Sequence, residues 1–201
     1  MIHKIISDLW TQVITGFFEN NLSYSSEKTL VFHFAWQLKQ KLGEDLVSLD
    51  FEKQMFQKFS DGAFLDLYFE YKNQKIGIEF KFPKRSSKGY SNSTQTRIKS
   101  INDIKRLSYL VNNNKIDLGV FLMATNERAY VFTGKKTINA EFETYHLVQY
   151  KKGESFPKHQ STSKECLISP IEITFTWNGI NETNIINKFA WISPIFIYKD
   201  Y

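Results

Sequence analysis

The sequence predicts a single α/β (α+β) domain in which helices flank a mixed central sheet. Apolar residues recur at helical spacing in several segments. Three strand-like runs follow one another with short turn-rich pieces between them, and a later amphipathic helix leads into a strand that is apolar throughout. The 201 residues suffice for one domain with its own core. Within it we expect an N-terminal helix in residues 1–24, a core in 25–133 and a β-rich C-terminal extension in 134–201.

Two helices open the chain. Residues 2–18 place apolar side chains on one helix face, a stripe that predicts either core packing or an interface with a second copy. A second helix is predicted from about Glu27 to Leu42, between serines suited to capping and Gly43, a favourable C-cap. Counting back one turn from Val31 in its apolar stripe places Glu27 on the inward edge. The helix dipole alone also favours a glutamate in a first turn.

A three-stranded meander is predicted next, over residues 45–56, 63–71 and 75–82. The short pieces SDG and KNQ connect these runs, so the strands should be antiparallel. The segment TQTRIKSINDIKRLSYLV has helical periodicity, and residues 116–124 are predicted to form a buried strand. This helix-to-strand step predicts a crossover onto the sheet. Residues 128–134 predict one further strand.

Three charged residues, Asp66, Glu79 and Lys81, interrupt the apolar pattern of the second and third strands. A turn centred on residues 73–74 would pair Tyr68 with Glu79 and Asp66 with Lys81, leaving the two carboxylates as diagonal neighbours. Adjacent carboxylates repel unless a proton or a cation lies between them. Oxygen-only ligands suit Mg²⁺ or Mn²⁺, and the four histidines and one cysteine show no zinc-ligand spacing. The competing interpretation is a sheet edge protected by charges.

The order helix, three strands, helix and strand over about residues 25–133 resembles the PD-(D/E)XK nuclease superfamily. The resemblance is carried by Asp66, twelve intervening residues, and then Glu79-Phe80-Lys81. Leu65 stands where the family's name has proline. The resemblance implies a restriction endonuclease-like fold with an αβββαβ core and a Mg²⁺-dependent hydrolysis of DNA phosphodiesters, with Mn²⁺ as a substitute cofactor.

The resemblance also implies roles for individual residues. Asp66 and Glu79 would bind Mg²⁺ with help from the Phe80 carbonyl, and Glu27 would add a ligand or orient a metal-bound water. Lys81 would position or help activate the attacking water, since an ammonium stabilises a pentavalent phosphorane and a desolvated lysine can lose its proton near neutral pH. A divalent cation supplies the hydroxide-like nucleophile and the charge relief that this hydrolysis needs.

The distribution of charge indicates a polyanionic partner. Residues 81–106 contain eight basic residues and one acidic residue, a charge of +7, whereas the whole chain carries +5. Because this segment begins at Lys81, its basic side chains should lie beside the predicted site. Simple solvation of a charged face is the competing interpretation. The candidate DNA-binding residues are Lys84, Arg85, Lys88, Gln95, Arg97 and Lys99.

The predicted function is a Mg²⁺-dependent DNA endonuclease of the restriction type, with double-stranded DNA as substrate by analogy with the superfamily. A homodimer is expected because one active site cuts one strand, and the N-terminal helix or the aromatic C-terminus could form it. Alternatives are a structure-specific or repair nuclease of the same fold, a catalytically inactive DNA-binding module, and an interaction protein. The lone Cys166 and the absence of signal-peptide features predict a cytoplasmic location.

Overall fold

The computed structural model describes residues 2–19, 26–55, 64–85, 93–132, 143–154, 169–186 and 188–199. Within these ranges the chain is a mixed α/β protein with four helices and a seven-stranded mixed sheet. This confirms the predicted α/β (α+β) class with a mixed sheet. None of the helices in these ranges combines the length and hydropathy needed to cross a membrane.

The first helix, α1 (Ile2–Glu19), packs its apolar stripe into the core of its own chain. Ile6 and Trp10 are fully buried, and the Trp10 indole Nε1–H donates a hydrogen bond to the Ile192 carbonyl at 3.0 Å. A buried indole N–H needs such a partner, so this bond fixes the helix against the C-terminal strands. Of the two uses predicted for the stripe, core packing is the one that the structure contains.

The second helix, α2 (Glu27–Leu42), begins and ends where the capping residues predict. The Ser26 side chain accepts a hydrogen bond from the Thr29 backbone N–H at 3.2 Å, satisfying one of the free donors of the first turn. Gly43 at the other end has a φ of 58°, a conformation that a side chain disfavours. The capping places Glu27 as the first residue of the helix.

The sheet follows the predicted order. Its first strands form an antiparallel meander, and a long helix then crosses to a strand that runs parallel to the third. Every residue of that strand is buried, which agrees with its uninterrupted apolar sequence. The order αβββαβ is therefore present. The elements are β1 (Leu46–Gln54), β2 (Phe64–Tyr71), β3 (Gln74–Lys81), α3 (Ser93–Asn112) and β4 (Leu118–Thr125).

The strand predicted over residues 128–134 is wrong, because Arg128–Val131 form a short helix, α4, and residues 133–134 lie outside the described ranges. Tyr130 and Val131 are both buried. Consecutive residues of a strand point to opposite faces, whereas a helical turn here buries both on the same side of the chain. The apolar composition of the segment did not distinguish these two arrangements.

The C-terminal region adds short strands to the central sheet. Two of them pair antiparallel with β4, on the side away from β3. The described part of the predicted extension therefore continues the sheet and its core. The strands are β5 (Gln149–Tyr150), β6 (Ile173–Thr174), β7 (Trp177–Asn178), β8 (Ala190–Ile192) and β9 (Ile195–Ile197), of which β5 and β6 form a separate pair.

Two hydrophobic clusters lie on the two faces of the sheet. Alternate residues of β3, such as Ile76 and Ile78, join the cluster that contains α1 and α2. Phe121 and Met123 of β4 join the cluster that contains α3 and much of the C-terminal region. The sheet is thus the middle layer of a helix–sheet–helix arrangement, and β1 is an edge strand.

The predicted register of the β2–β3 hairpin is wrong by two residues. Tyr71 pairs with Gln74, so the turn consists of Lys72 and Asn73, with φ of 49° and 63°. Two left-handed residues make a type I′ turn, whose twist matches that of the flanking strands. We had expected the turn one residue later, at residues 73–74.

This register changes which charged residues lie side by side. The ladder extends as far as the Leu67–Ile78 pair, which brings Asp66 level with Glu79 and not with Lys81. A shift of two residues keeps the side chains of β3 on their predicted faces, since the period of a strand is two. Asp66 and Glu79 are therefore closer in register than the diagonal placement predicted from the sequence.

Candidate active site

Asp66 lies at an irregularity in β2. In a regular strand residues two apart share a face, but Leu65 belongs to the α3-side cluster and Leu67 to the opposite one. On β1, Glu52 has a φ of 48° and forms no ladder pair with Asp66. Asp66 Oδ2 instead accepts the Phe80 backbone N–H at 2.7 Å. A carboxylate thus takes the place of a backbone carbonyl at the point where the β2–β3 ladder ends.

Glu27 connects the start of α2 to the end of β3. Its Oε2 accepts the Phe82 backbone N–H at 2.7 Å, so the side chain turns inward as its position in the helix predicted. Burial raises the pKa of Glu27, and the neighbouring charge of Asp66 adds to the rise while Lys81 opposes it. The carboxylates predicted from α2 and β2 therefore converge at the end of β3.

Glu79 is the most deeply buried of the charged site residues predicted from the sequence, with 1% of its surface exposed. Its Oε1 forms an ion pair with Arg106 Nη2 at 2.7 Å. Burial raises the pKa of Glu79 well above its usual range, and the charges of Asp103 and Asp66 raise it further. Arg106 and Lys81 only partly offset this effect. The site therefore concentrates negative charge in a region with little solvent.

Lys81 faces the same group of carboxylates. Its Nζ contacts the Asp103 carboxylate and donates a hydrogen bond to the Phe80 carbonyl at 2.9 Å. Burial by itself lowers the pKa of Lys81, but Asp103 and Glu27 outweigh that effect, and the pKa is raised. The ammonium consequently keeps its proton at neutral pH. This argues against the expectation that desolvation would let Lys81 act as a base.

Asp103 and Arg106, both on α3, complete the cluster and were not predicted as site residues. Arg106 Nη2 bridges Asp103 Oδ1 at 2.6 Å and Glu79, so one guanidinium joins α3 to β3. A sequence signal existed, because Asp103 is the one acidic residue in residues 81–106 and lies four residues before the apolar Leu107, on the same face of the helix. Asp103 is 4% exposed, and an inward-facing acid on a helix requires a partner.

The chemistry of the Asp66 and Glu79 carboxylates suits a hard divalent cation. Asp66 Oδ1 and Glu79 Oε2 accept no hydrogen bond from the described residues, since each side chain uses its other oxygen. The same described ranges contain no group of three or more acidic, histidine or cysteine side chains placed to hold a metal. Mg²⁺ is commonly held by one or two carboxylates, with waters and substrate phosphates completing its shell. Two adjacent carboxylates with free oxygens satisfy that requirement.

The other two predicted metal ligands, Phe80 and Glu27, also have protein partners. The Phe80 carbonyl accepts the hydrogen bond from Lys81, and Glu27 Oε2 holds the Phe82 N–H. A carbonyl oxygen has a second lone pair and a carboxylate has a second oxygen, so each group could still bind a cation. Asp66 and Glu79 are the better placed pair.

The predicted DNA-binding residues divide into two groups. Arg85, Gln95 and Lys99 have exposed side chains, and Lys84 Nζ lies 5.8 Å from the centre of the Phe82 ring. The Arg85 backbone N–H donates to Asn126 Oδ1 at 2.7 Å, which anchors the chain just after β3. These side chains follow the site along the sequence, and Gln95 and Lys99 lie on α3.

Arg97 belongs to the second group, because its side chain has internal contacts. The guanidinium donates to the Ala129 carbonyl and lies 5.5 Å from the centre of the Tyr130 ring. It therefore packs α3 against α4, and we do not include it among the proposed DNA contacts. Lys88, which was also predicted to contact DNA, lies outside the described residues.

Compared with known proteins, the chain matches no family model, and no curated protein or solved structure matches it. The functional argument therefore rests on the residues and geometry of the site itself.

Proposed function

We propose that this protein is a divalent-metal-dependent endonuclease that hydrolyses DNA phosphodiesters, built on a restriction endonuclease-like core. The observation that carries the proposal is the meeting of Glu27, Asp66, Glu79 and Lys81 at the end of β3, although they come from three different elements. Buried like charges cost stability, so a sequence that gathers them has another reason to do so.

Asp66 and Glu79 are the residues that would hold the cation, and Mg²⁺ when bound supplies a nucleophilic water at neutral pH and charge neutralisation at the phosphate. Lys81 remains an ammonium and donates hydrogen bonds to phosphate or water oxygens. Asp103 holds the Lys81 side chain in place from α3. Arg106 orients Glu79 and keeps its second oxygen available. Glu27 fixes the end of β3, where the phosphate would bind.

Lys84, Arg85, Gln95 and Lys99 are the proposed contacts to the DNA backbone. Phosphate contacts of this kind position nucleic acid without reading its sequence. Double-stranded DNA cut in the restriction manner is the first substrate to test. A structure-specific nuclease is a second candidate, because exposed aromatic rings line a cleft beside the site.

The homodimer stays a proposal, and α2 with β1 is the surface that we favour for it. Of the segments first considered, α1 packs its apolar stripe into the core of its own chain, and the C-terminal region buries Phe189 and Trp191, although Tyr198 near its end is 51% exposed. On α2 and β1, Trp36 and Val47 are exposed and line one groove. This groove is a described surface on which a second copy could pack.

The test is a cleavage assay on supercoiled plasmid, linear duplex and a branched junction, with Mg²⁺ or with EDTA. We expect Mg²⁺-dependent products that Asp66→Ala abolishes and that Asp50→Ala, an exposed carboxylate on the neighbouring strand, leaves unchanged. Discrete plasmid fragments support the restriction type, whereas preference for the junction supports the structure-specific type. DNA binding without cleavage by the wild type supports the inactive module, and absence of both rejects the nucleic-acid function.

A further inference from the structure

A cleft of about 350 Å³ opens next to the proposed site, between the first turns of α2 and the far end of β1. Its lining includes the site carboxylates Glu27 and Asp66 together with Phe32 and Phe51. The volume lies at the lower end of the range for small-molecule sites, which is the scale of a single nucleotide and far below that of a duplex.

The two phenylalanines are unusual for the surface of this protein. Phe32 is 55% exposed and Phe51 46% exposed, although most other large apolar side chains in the described ranges are buried. Their ring planes differ by 24° and their centroids lie 6.4 Å apart, so they form a nearly parallel pair across α2 and β1. Phenylalanine has no polar group, so this pair can offer a ligand only apolar and stacking contacts.

The rim of the cleft is polar and already paired. Lys28 Nζ forms an ion pair with Glu52 at 2.7 Å, joining α2 to β1 beside the aromatic rings. Of the two proposed metal ligands Asp66 lines the cleft, so a cation held there would bind an anionic part of a ligand at this end. The same ligand needs a flat apolar part for the rings at the other end. A nucleotide has both, with its phosphate and its base joined through one sugar.

We propose that Phe32 and Phe51 stack on an unpaired nucleobase whose phosphate lies at the Asp66–Glu79 site. This inference rests on the proposed function. In a continuous duplex the faces of each base are covered by its neighbours, so only an unstacked or extruded base can reach the rings. Base stacking on aromatic side chains is tolerant of sequence and contributes strongly to affinity. The preferred substrate is thus DNA with a single-stranded or displaced nucleotide at the cleavage point.

A neighbouring groove on α2 and β1 supplies the matched control. It shares Phe32 and Phe51 with the cleft, extends from them to Trp36 and Val47, and contains none of the site carboxylates. Trp36 is 59% exposed and lies one turn beyond Phe32 on the same helix. A protein partner or a second copy would cover Trp36 together with the phenylalanines, whereas we expect a nucleotide held at the carboxylates to contact the phenylalanines and not Trp36.

The experiment measures dissociation constants by fluorescence anisotropy for fully paired DNA and for DNA of the same length with one unpaired nucleotide, with Ca²⁺ replacing Mg²⁺ to limit hydrolysis. We expect tighter wild-type binding to the unpaired form. Phe32→Ala and Phe51→Ala should each weaken that binding by about fivefold to a hundredfold and leave paired DNA nearly unaffected. Phe32→Tyr, which keeps an aromatic ring, should retain the wild-type affinity for the unpaired form. Trp36→Ala should retain it as well.

Equal affinity of the wild type for both forms overturns the inference, and so does an equal loss in Phe32→Ala and Trp36→Ala. If both of those variants also convert a dimer to a monomer in sedimentation, the surface is an interface between copies. Continued Mg²⁺-dependent cleavage by the phenylalanine variants on paired plasmid would then leave the proposed function standing while the inference fails. Absence of any DNA binding or cleavage by the wild type would reject both together.

Discussion

The charge state of Lys81 determines what this residue can do in the site. A buried lysine without partners tends to lose its proton, which would suit a general base. Lys81 instead lies among Asp103, Glu27 and Asp66, and their negative charges raise its pKa. We therefore expect Lys81 to act as a fixed cation and hydrogen-bond donor in the proposed active site.

A cation at this position predicts a graded response to substitution. Lys81→Met should reduce the single-turnover cleavage rate on the order of 10²-fold to 10³-fold, because it removes a preorganised donor to developing charge. Lys81→Arg should retain more activity than Lys81→Met, since it preserves the positive charge. Lys75→Met, at an exposed position on the same strand, is the control and should cleave like the wild type. Equal rates for Lys81→Met and the control would contradict this role.

The raised pKa of Glu79 predicts that the free energy of unfolding in metal-free buffer depends on pH. Because burial and nearby carboxylates raise its pKa above the ordinary 4.5, the folded protein holds this proton more tightly than the unfolded chain. Its contribution to the free energy of unfolding is complete below pH 4.5 and is lost as the pH rises through the raised pKa. Glu79→Gln removes this titration, so the variant should gain stability relative to the wild type as pH rises.

Urea denaturation in EDTA between about pH 5 and about pH 8 measures this difference. Asp103 and Glu27 titrate in both proteins, so the difference between variant and wild type reports Glu79 together with its interaction with Asp103, whose charge raises the Glu79 pKa. A difference that stays constant, or that shrinks as pH rises, would show that Glu79 does not carry the raised pKa.

At the scale of the elements, α3 contributes both to the charged cluster at the end of β3 and to the proposed DNA-binding surface. Asp103 and Arg106, one helical turn apart, contact Lys81 and Glu79 on β3. The same helix presents Gln95 and Lys99 to solvent, on the proposed DNA side. Movement of α3 would therefore change both the position of the site side chains and the contacts to DNA.

Removing Arg106 tests this connection. Arg106→Met leaves Glu79 and Asp103 buried with one cation fewer, and breaking a buried pair costs about 3–5 kcal/mol. We expect a value near 3 kcal/mol in urea denaturation, because 26% of the Arg106 side chain is exposed. Adding Glu79→Gln to Arg106→Met should recover part of the loss. Lys99→Met on the same helix is the control and should change the free energy of unfolding by less than about 0.5 kcal/mol. A loss in Lys99→Met as large as that in Arg106→Met would contradict a specific contribution from the Arg106 ion pairs.

Most elements were predictable from the sequence because their signals are local. Capping at Ser26 and Gly43 marked the ends of α2, and continuous apolar residues marked β4. The order αβββαβ followed from these signals. Segment 128–134 was mistaken for a strand because short apolar runs are compatible with either structure, and tertiary packing decides between them.

The site was predictable in part. Glu27 and Asp66 could be assigned because each interrupts an apolar periodicity. The pairing of Asp66 with Glu79 depends on which two residues form the β2–β3 turn. The turn consists of Lys72 and Asn73, one residue before the predicted position. Backbone twist decides between these two positions, and the hydrophobic pattern does not. Arg106 was read only as part of a basic run, since sequence does not show that its guanidinium turns back to β3.

For the whole molecule, the sheet separates two surfaces of different character. One face is covered by α1 and α2, and the other by α3, whose exposed residues follow the basic segment that begins at Lys81. Acidic side chains lie between these layers at the end of β3. DNA that binds the basic α3 side, as we propose, would lie next to the proposed metal-binding carboxylates. Without the basic side chains, those carboxylates would repel the DNA phosphates.

This arrangement predicts an uneven salt dependence of DNA binding. Lys99→Gln should reduce the slope of log affinity against log salt concentration by about 1, as expected for the loss of one phosphate contact. Lys4→Gln, an exposed lysine on α1 at the opposite side of the sheet, should leave the slope unchanged. Titrations with one duplex at several salt concentrations measure both. Equal slopes for wild type and Lys99→Gln would place the DNA elsewhere.

The most direct test of the central claim is the single-turnover rate of DNA cleavage as a function of Mg²⁺ concentration, in the wild type and in Asp66→Asn. We predict a rate that is absent in EDTA and saturates with Mg²⁺ in the wild type, and that falls by at least about a hundredfold in Asp66→Asn. Cleavage that persists in EDTA, or that Asp66→Asn leaves unchanged, would contradict a metal-dependent site at Asp66 and Glu79.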